Sequence, residues 1–159
     1  LGLAQLGLLG VVAAHPKLHG RWSVSLFGLG FGFAAHALGV SWLYISLHKY
    51  GGLPAALAVV SLGFFALYLG LFSALAVASF RELARRCLPA GPHSWSVAHA
   101  LLWATCWTFF EWLRGTLFTG FAWLSLGDAL VDSPWVHALP WSGNHGALWL
   151  ALVAVVNAG

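Results

Sequence analysis

The feature that most restricts the fold of this chain is its shortage of charged side chains. Only 7% of its 159 residues are Asp, Glu, Lys or Arg, whereas 60% are hydrophobic. Soluble globular domains carry roughly 25% charged residues, so this chain has too few to cover a surface that faces water. Disordered chains combine low hydrophobicity with high net charge, and this chain has neither. The composition therefore indicates an integral membrane protein.

Apolar stretches alternate with short polar breaks along the sequence. A helix that crosses a bilayer needs about 20 apolar residues, and about five segments approach or exceed that length. They cover residues 1–14, 22–47, 54–80, 95–113 and 146–156, and the first and last are expected to be truncated spans. The chain contains no Met and begins in the middle of an apolar pattern, which favours a fragment of a longer protein. We predict an all-α, polytopic helix bundle.

The basic residues predict the orientation of these spans. Two consecutive spans separate two loops that share five of the seven basic residues, namely Lys17, Arg21, Arg81, Arg85 and Arg86. Cytoplasmic loops are enriched in Lys and Arg, so both loops are expected on the cytoplasmic side. Residues 49–53 and 114–141 then face outward. The scattered basic residues form no patch, so nucleic acid is not an expected partner.

Small residues recur every three or four positions in the second and third apolar segments. Such spacing places them on one helical face and permits close approach of a neighbouring helix. The second segment contributes Ser25, Gly28, Gly32, Ala35 and Gly39, and the third contributes Gly63, Ala66, Gly70, Ser73 and Val77. Tight helix packing is the prediction, and a substrate groove lined by glycines is the alternative.

The histidines and cysteines do not form a pattern that binds metal or supplies a nucleophile. Only His36 lies deep within a span, so a haem held between helices would lack its second central ligand. Cys87 and Cys106 are too few for a disulfide framework and lack metal-ligand spacing. We therefore predict no metal site and no cofactor.

Glu111 and Arg114 are the most informative charged residues. Three positions apart, they share one face of a helix and can pair. Because they lie near the outer end of their span, both are expected to reach interfacial water and to anchor the outer segment that follows. Direct contact with a polar lipid headgroup is the alternative. Further along, Asp132-Ser133-Pro134 predicts a turn or a helix cap.

The two outward-facing segments are rich in aromatic residues. Trp42, Tyr44 and Tyr50 lie on one, and Phe118, Phe121, Trp123, Trp135 and Trp141 lie on the other. Aromatic residues commonly form a belt at the membrane interface. The second set alternates with Gly115, Gly120 and Gly127, so it predicts an irregular outer loop. This loop could form a hydrophobic surface half in the membrane, where an acyl chain enters.

Two segments resemble the membrane domain of bacterial apolipoprotein N-acyltransferases. They are SWLYISLHKYGGLP at residues 41–54 and EWLRGTLFTGFAWL at residues 111–124, and residues 132–134 also fit. Their order and spacing agree with the family over nearly the whole chain. The sequence departs from the family pattern at Ala122, where a Pro normally precedes the Trp, and over residues 139–146.

The resemblance implies an enzyme that moves an acyl chain from a phospholipid to a lipoprotein. The acceptor is the α-amino group of a diacylglyceryl-cysteine, and the reaction passes through a thioester on a cysteine. In that family the cysteine and its partner Glu and Lys belong to a nitrilase-like domain, which is absent from this chain. Residues 1–159 are therefore expected to be a transmembrane domain fragment that is inactive alone and holds no catalytic residue. The expected location is the bacterial cytoplasmic (inner) membrane, in multi-pass form.

The resemblance also assigns a set of lipid-access residues at the outer ends of two helices. The expected partners are a phospholipid acyl donor, a diacylated apolipoprotein acceptor and membrane lipids. The residues are Trp42, Tyr44, Tyr50, Gly52, Pro54, Glu111, Arg114, Gly120, Phe121 and Trp123. The alternative is a fragment of a polytopic transporter or channel in which Glu111 and Arg114 line the pathway. Transporters place ionisable or helix-breaking residues near the bilayer midplane, and here only His36 is a candidate.

Overall fold

The computed structural model describes residues 21–88 and 96–158, and within these ranges all regular structure is helical. The α-helices are α1 (Arg21–Gly39), α2 (Trp42–Ile45), α3 (Ala55–Cys87), α4 (Val97–Thr116) and α5 (Leu139–Ala158). A π-helical turn, Ser46–Tyr50, follows α2, and short 3-10 helices cover Leu117–Thr119, Leu126–Leu130 and Pro134–Ala138. The all-α prediction is confirmed. The predictions for residues 1–14 and for Lys17 lie outside the described residues.

Within the described ranges, α3 is the helix that is long and apolar enough to cross a bilayer by itself. It has 33 residues and reaches a mean hydropathy of 2.2. At about 1.5 Å per residue it extends for about 50 Å, well beyond the roughly 30 Å hydrocarbon core. Residues 23–50 form a second candidate span if α1 and the helical segment after it count as one span bent by 53°.

This bend is the main difference from the continuous segment expected over residues 22–47. At Val40 and Ser41 the backbone changes from α-helical to tighter hydrogen bonds. Leu43 N–H donates to the Val40 carbonyl at 2.8 Å, and Tyr44 N–H donates to the Ser41 carbonyl at 3.1 Å. The run is apolar on both sides of the break, so hydropathy gives no sign of it.

The basic loop predicted after residue 80 is wrong, because α3 continues through Cys87. Glu82 is bonded to Arg85 at 3.2 Å and to Arg86 at 2.6 Å, in the three- and four-residue spacings that suit a helix. These exposed ion pairs continue the helix as a charged extension of its apolar part.

Close packing between α1 and α3 confirms part of the small-residue prediction. A Cβ atom on Gly32 would lie 2.8 Å from Ser73 Cβ and 2.9 Å from Gly70 Cα, and one on Gly28 would lie 3.2 Å from Ala74 Cα. Because residue numbers fall along α3 as they rise along α1, the two helices are antiparallel. Gly63, by contrast, faces open space. The basic end of α3 therefore lies at the end of the bundle where α1 begins.

The core joins α1 and α3 to α4 and α5. Trp103 of α4 is fully buried and meets the Phe80 ring edge-to-face with 5.1 Å between centroids. Val24, Val77 and Leu148 belong to the same buried cluster. This packing fixes α4, whose last turns carry Glu111 and Arg114.

Candidate functional site

Glu111 is a buried acceptor at the end of α4, with only 8% of its surface exposed. Trp107 Nε1–H, one helical turn earlier, donates to Oε2 at 3.1 Å. The Ser125 hydroxyl donates to Oε1 at 2.7 Å, and the Leu126 backbone N–H donates to the same oxygen. A carboxylate is an acceptor-only group. Here its donors come from both α4 and the loop that follows it, residues 117–126. Glu111 therefore holds the far end of the loop against α4.

Arg114 is the second tie between α4 and the loop, and it is 4% exposed. Its Nη1 donates to the carbonyl oxygens of Phe121 at 2.9 Å and Trp123 at 3.0 Å. Its Nη2 lies 3.9 Å from Glu111 Oε1, a charge contact rather than a hydrogen bond. The expectation that this pair reaches interfacial water is therefore wrong. The loop folds over both side chains and buries them.

This loop has the irregular backbone that its glycines predict. Gly120 has φ +76°, and a Cβ atom there would collide with the Gly115 carbonyl oxygen. Phe121 N–H returns to the Arg114 carbonyl at 3.1 Å. Phe118 and Leu124 also have positive φ, at 50° and 62°. Positive φ is costly for residues with a side chain, so the surrounding contacts hold this conformation.

An exposed aromatic pair joins the loop to α2. The rings of Trp42 and Trp123 lie 5.5 Å apart between centroids and are tilted by 32°. Trp42 is 45% exposed and Trp123 is 65% exposed. Leu124 fills the space beside Gly39, where a Cβ atom would collide with its side chain. The structure thus brings Trp42, from the first motif, to Trp123, from the second.

The remaining residues of the first motif build a local turn. Tyr44 stacks on His48, with 5.5 Å between ring centroids, and His48 Nδ1–H donates to the Leu53 carbonyl at 2.7 Å. Gly52 has φ +68°, and Pro54 sits at the N-cap of α3. The Tyr50 ring is 86% exposed. The contacts of Tyr44 and the conformation of Gly52 shape this turn, whereas Trp42 connects the motif to the loop.

The loop packs against the N-terminal half of α3, beyond the first two turns of that helix. Phe121 meets Phe65 edge-to-face at 5.0 Å, and Phe118 meets Tyr68 at 6.3 Å. Phe65 lies ten residues after the start of α3, a distance of about 15 Å along the helix. The N-terminal end of α3 therefore extends beyond the level of these two loop contacts.

Sequence reasoning missed Asn144, which ties α5 to the same loop. Its Nδ2 donates to Ser125 Oγ at 3.2 Å and to Asp128 Oδ1 at 2.7 Å. A side chain at Gly127 would collide with the Asn144 carboxamide. Trp107 was also missed, although its spacing of four residues from Glu111 was a usable signal. The predicted cap at Ser133 is confirmed by the hydrogen bond from Trp135 N–H at 3.2 Å.

A cavity of about 420 Å³ lies behind the loop, between α1, α3 and α4. Its walls are mainly apolar, and its polar residues are His36, Ser73, Glu111 and Arg114. Three or more His, Cys, Asp or Glu side chains in a metal-binding arrangement do not occur anywhere in residues 21–88 and 96–158. The site is a partly open apolar cavity with one polar region, bordered by a loop that two charged side chains hold in place.

Comparison with known proteins gives the same family that the two motifs suggest. A family model described as the apolipoprotein N-acyltransferase N-terminal domain matches residues 1–158. The apolipoprotein N-acyltransferase of Bordetella bronchiseptica is 40% identical over 154 residues, which cover 93% of this chain and 28% of that protein. The enzyme of Ralstonia nicotianae is 38% identical over 149 residues, covering 94% and 27%.

A third relative, from Pasteurella multocida, is 33% identical over 155 residues, covering 95% of this chain and 27% of that protein. The chain thus spans little more than a quarter of the length of these relatives. The match to the family model of the N-terminal domain extends over both motifs and the loop after α4. The chain belongs to the apolipoprotein N-acyltransferase family and corresponds to its N-terminal domain.

Proposed function

We propose that this chain is the membrane domain of a phospholipid:apolipoprotein N-acyltransferase. In this proposal a phospholipid donates an acyl chain, and the α-amino group of a diacylated lipoprotein accepts it. The chain anchors the enzyme in the bacterial inner membrane and guides both lipidated substrates, while the covalent chemistry belongs to residues outside this chain. Family membership supports the reaction class, since the relatives are named for that transfer.

The observation that carries the proposal is the exposed Trp42–Trp123 pair on a loop that the buried Glu111 and Arg114 hold by hydrogen bonds. Two large rings that stay half exposed offer a flat apolar surface for acyl chains. Irregular backbone at membrane depth requires partners for its polar groups, and Arg114 and Glu111 supply them for the loop. The loop can therefore sit among lipids without unpaired carbonyl groups at Phe121 and Trp123.

The proposed membrane placement rests on the charge distribution and on exposed apolar side chains. Apolar side chains on the surface of α3 include Phe64, which is 69% exposed, and Val59, which is 57% exposed. Such a surface suits lipid better than water. The basic end of α3 faces the cytoplasm in this arrangement, in line with the enrichment of Lys and Arg there. The bundle crosses the membrane several times, with the loop on the outer side.

Thiol labelling in spheroplasts tests this orientation. Cys87 is exposed at the basic end of α3, whereas Cys106 is buried. A membrane-impermeant maleimide added outside should leave Cys87 unlabelled until the cells are opened. In a Cys87→Ala background, Lys49→Cys should be labelled in intact spheroplasts. Labelling of Cys87 from outside would contradict the orientation.

An acyl-transfer assay with a diacylated lipopeptide and phospholipid tests the reaction itself. The full-length protein, with every residue its gene encodes, should N-acylate the peptide. Residues 1–159 alone should give none, because the proposal assigns the covalent chemistry to residues outside this chain. Turnover by the fragment would place the chemistry within this chain and contradict the proposal. The transporter alternative predicts no transfer from either preparation.

A further inference from the structure

The basic end of α3, residues 81–87, carries more positive charge than its own acid neutralises. Arg81, Arg85 and Arg86 accompany Glu82, which is the only Asp or Glu among residues 1–110. Three arginines and one glutamate leave a formal charge of +2 on the last two turns of the helix. The backbone of α1 begins at this same end of the bundle with another basic residue, Arg21. An anionic partner is therefore attracted to this end.

The two outermost arginines have hydrogen-bond donors to spare for such a partner. Arg85 Nη1 donates to Glu82 Oε2 at 3.2 Å, and Arg86 donates to Oε1 from Nε at 2.7 Å and Nη2 at 2.6 Å. A guanidinium carries five N–H donors, so at least three on each arginine lie beyond these contacts. The two side chains are 60% and 70% exposed. Arginine forms paired hydrogen bonds with phosphate, and Glu82 holds both arginines side by side.

An exposed apolar stripe leads to these arginines along one face of α3. Its residues recur every three or four positions, a spacing that keeps them on one side of a helix. They are Val60, Phe64, Leu67, Leu71 and Leu75. The same spacing continues through Ala78 and Glu82 to Arg85 and Arg86. This face therefore changes from apolar to basic in one direction, as a phospholipid changes from acyl chains to phosphate.

The distances along this face match one leaflet of a membrane. Ten residues separate Leu75 from Arg85, which is about 15 Å at about 1.5 Å per residue. Half of the roughly 30 Å hydrocarbon core has the same length. A lipid whose phosphate meets Arg85 therefore lays its chains beside Leu75. A free phosphate ion, by contrast, makes no use of the apolar stripe.

We propose that the basic end of α3 binds an anionic phospholipid of the cytoplasmic leaflet. Its phosphate contacts Arg85 and Arg86, and its chains lie along Leu71 and Leu75. The head is a phosphodiester without an ammonium group, as in phosphatidylglycerol, because the arginines repel a second cation. The choice of leaflet rests on the orientation in the proposed function, whereas the binding itself does not. The site lies at the opposite end of α3 from the loop and takes no part in acyl transfer.

Native mass spectrometry of the detergent-solubilised full-length protein tests this site with ether-linked lipids, whose chains cannot be transferred. Dialkyl phosphatidylglycerol should bind at least about tenfold more tightly than dialkyl phosphatidylcholine, because each arginine strengthens the attraction about fivefold. Glycerophosphoglycerol has the same head without chains and should not compete at equal concentration. Raising the ionic strength from about 0.1 M to about 1 M should remove most of the preference, since salt screens exposed charges.

Substitutions at exposed positions provide the matched comparison. Arg86→Gln should weaken phosphatidylglycerol binding about fivefold, and adding Arg85→Gln should bring the loss to at least about tenfold. Lys49→Gln also removes one exposed positive charge, but before the other end of α3, and should leave the binding unchanged. Glu82→Gln should strengthen binding about fivefold, because it releases both guanidinium groups and adds one unit of positive charge. A purely structural role of the ion pairs predicts weaker binding instead.

The outcomes separate this inference from the proposed function. Equal binding of the two lipids, full competition by the soluble head, or unchanged binding in the double arginine variant would each overturn the site. Weaker binding in Glu82→Gln would contradict direct recognition by the arginines. If the double variant does not fold, a lipid preference that persists in the wild type at about 1 M ionic strength would overturn the proposal. A protein that keeps the preference but transfers no acyl group would support this site and contradict the proposed reaction.

Discussion

Arg114 donates a hydrogen bond to the backbone carbonyl of Trp123 at 3.0 Å, while the Trp123 ring remains 65% exposed. The same nitrogen bonds the Phe121 carbonyl at 2.9 Å. A buried cation thus sets the backbone that carries an exposed aromatic ring. Because Arg114 belongs to a long packed helix, the ring takes its position from the rigid bundle rather than from the loop alone.

Removing the guanidinium should release this loop. Arg114→Gln leaves two carbonyl groups and the Glu111 carboxylate without their cation, so we expect a loss of at least about 2 kcal/mol of unfolding free energy in mild detergent. Hydrogen exchange at the Phe121 amide should also accelerate. Arg85→Gln, in an exposed ion pair, is the control and should cost about 0.5 kcal/mol or less. Equal effects of the two substitutions would contradict the role of Arg114.

Glu111→Gln tests the second tie with little change in volume. The amide keeps one carbonyl oxygen but weakens the acceptors for Trp107, Ser125 and Leu126, so unfolding free energy should fall by about 1–3 kcal/mol. Glu82→Gln, at a partly exposed position on α3, serves as the comparison. Protection of the Leu126 amide from exchange should drop only in the first variant. A Leu126 amide as protected as in the wild type would argue against this tie.

The close approach of α1 and α3 makes Gly32 sensitive to any side chain. A Cβ atom there would lie 2.8 Å from Ser73 Cβ and 2.9 Å from Gly70 Cα, so Gly32→Ala should destabilise the protein by about 1–3 kcal/mol. Gly30 lies on the same helix and faces open space. Gly30→Ala should be neutral or slightly stabilising, since Ala favours helix. Detergent unfolding curves that fail to separate the two variants would contradict this packing.

The contact between Gly127 and Asn144 also leaves no room for a side chain at position 127. A methyl group at Gly127 displaces the Asn144 carboxamide from Ser125 and Asp128, so Gly127→Ala should lower unfolding free energy by at least about 1 kcal/mol. Gly63→Ala, where the added methyl meets nothing, is the matched control. If Asn144→Ala is added, the second loss should be smaller than Asn144→Ala costs alone, because both changes break the same contact. Fully additive losses would mean that the two residues act independently.

Local patterns predicted those parts of the molecule that local physics determines. Apolar runs marked the long helices, Ser133 before Pro134 marked a cap, and the glycines at 28 and 32 marked the face that meets α3. Each depends on residues within one or two helical turns. The charged pair at Glu111 and Arg114 was also visible from its spacing.

Features that depend on distant residues could not be predicted in this way. Glu111 and Arg114 are buried because the loop returns over them, which no spacing within α4 reveals. Asn144 reaches Ser125 only because α5 packs beside the part of the loop that contains Ser125. The bend at Val40 lies within an uninterrupted apolar run. These features come from tertiary contacts, which hydropathy and charge do not encode.

In the proposed function, the loop that Glu111 and Arg114 hold in place presents Trp123 to lipidated substrates. The most direct measurement is the rate of acyl transfer to a diacylated lipopeptide by the full-length protein carrying Trp123→Ala or Trp112→Ala. Both tryptophans are exposed, at 65% and 47%, but only Trp123 lies on the loop. We predict at least about a tenfold loss of rate, or about 1.4 kcal/mol, for Trp123→Ala, with Trp112→Ala close to wild type. Equal rates in the two variants, with both proteins folded, would contradict the account.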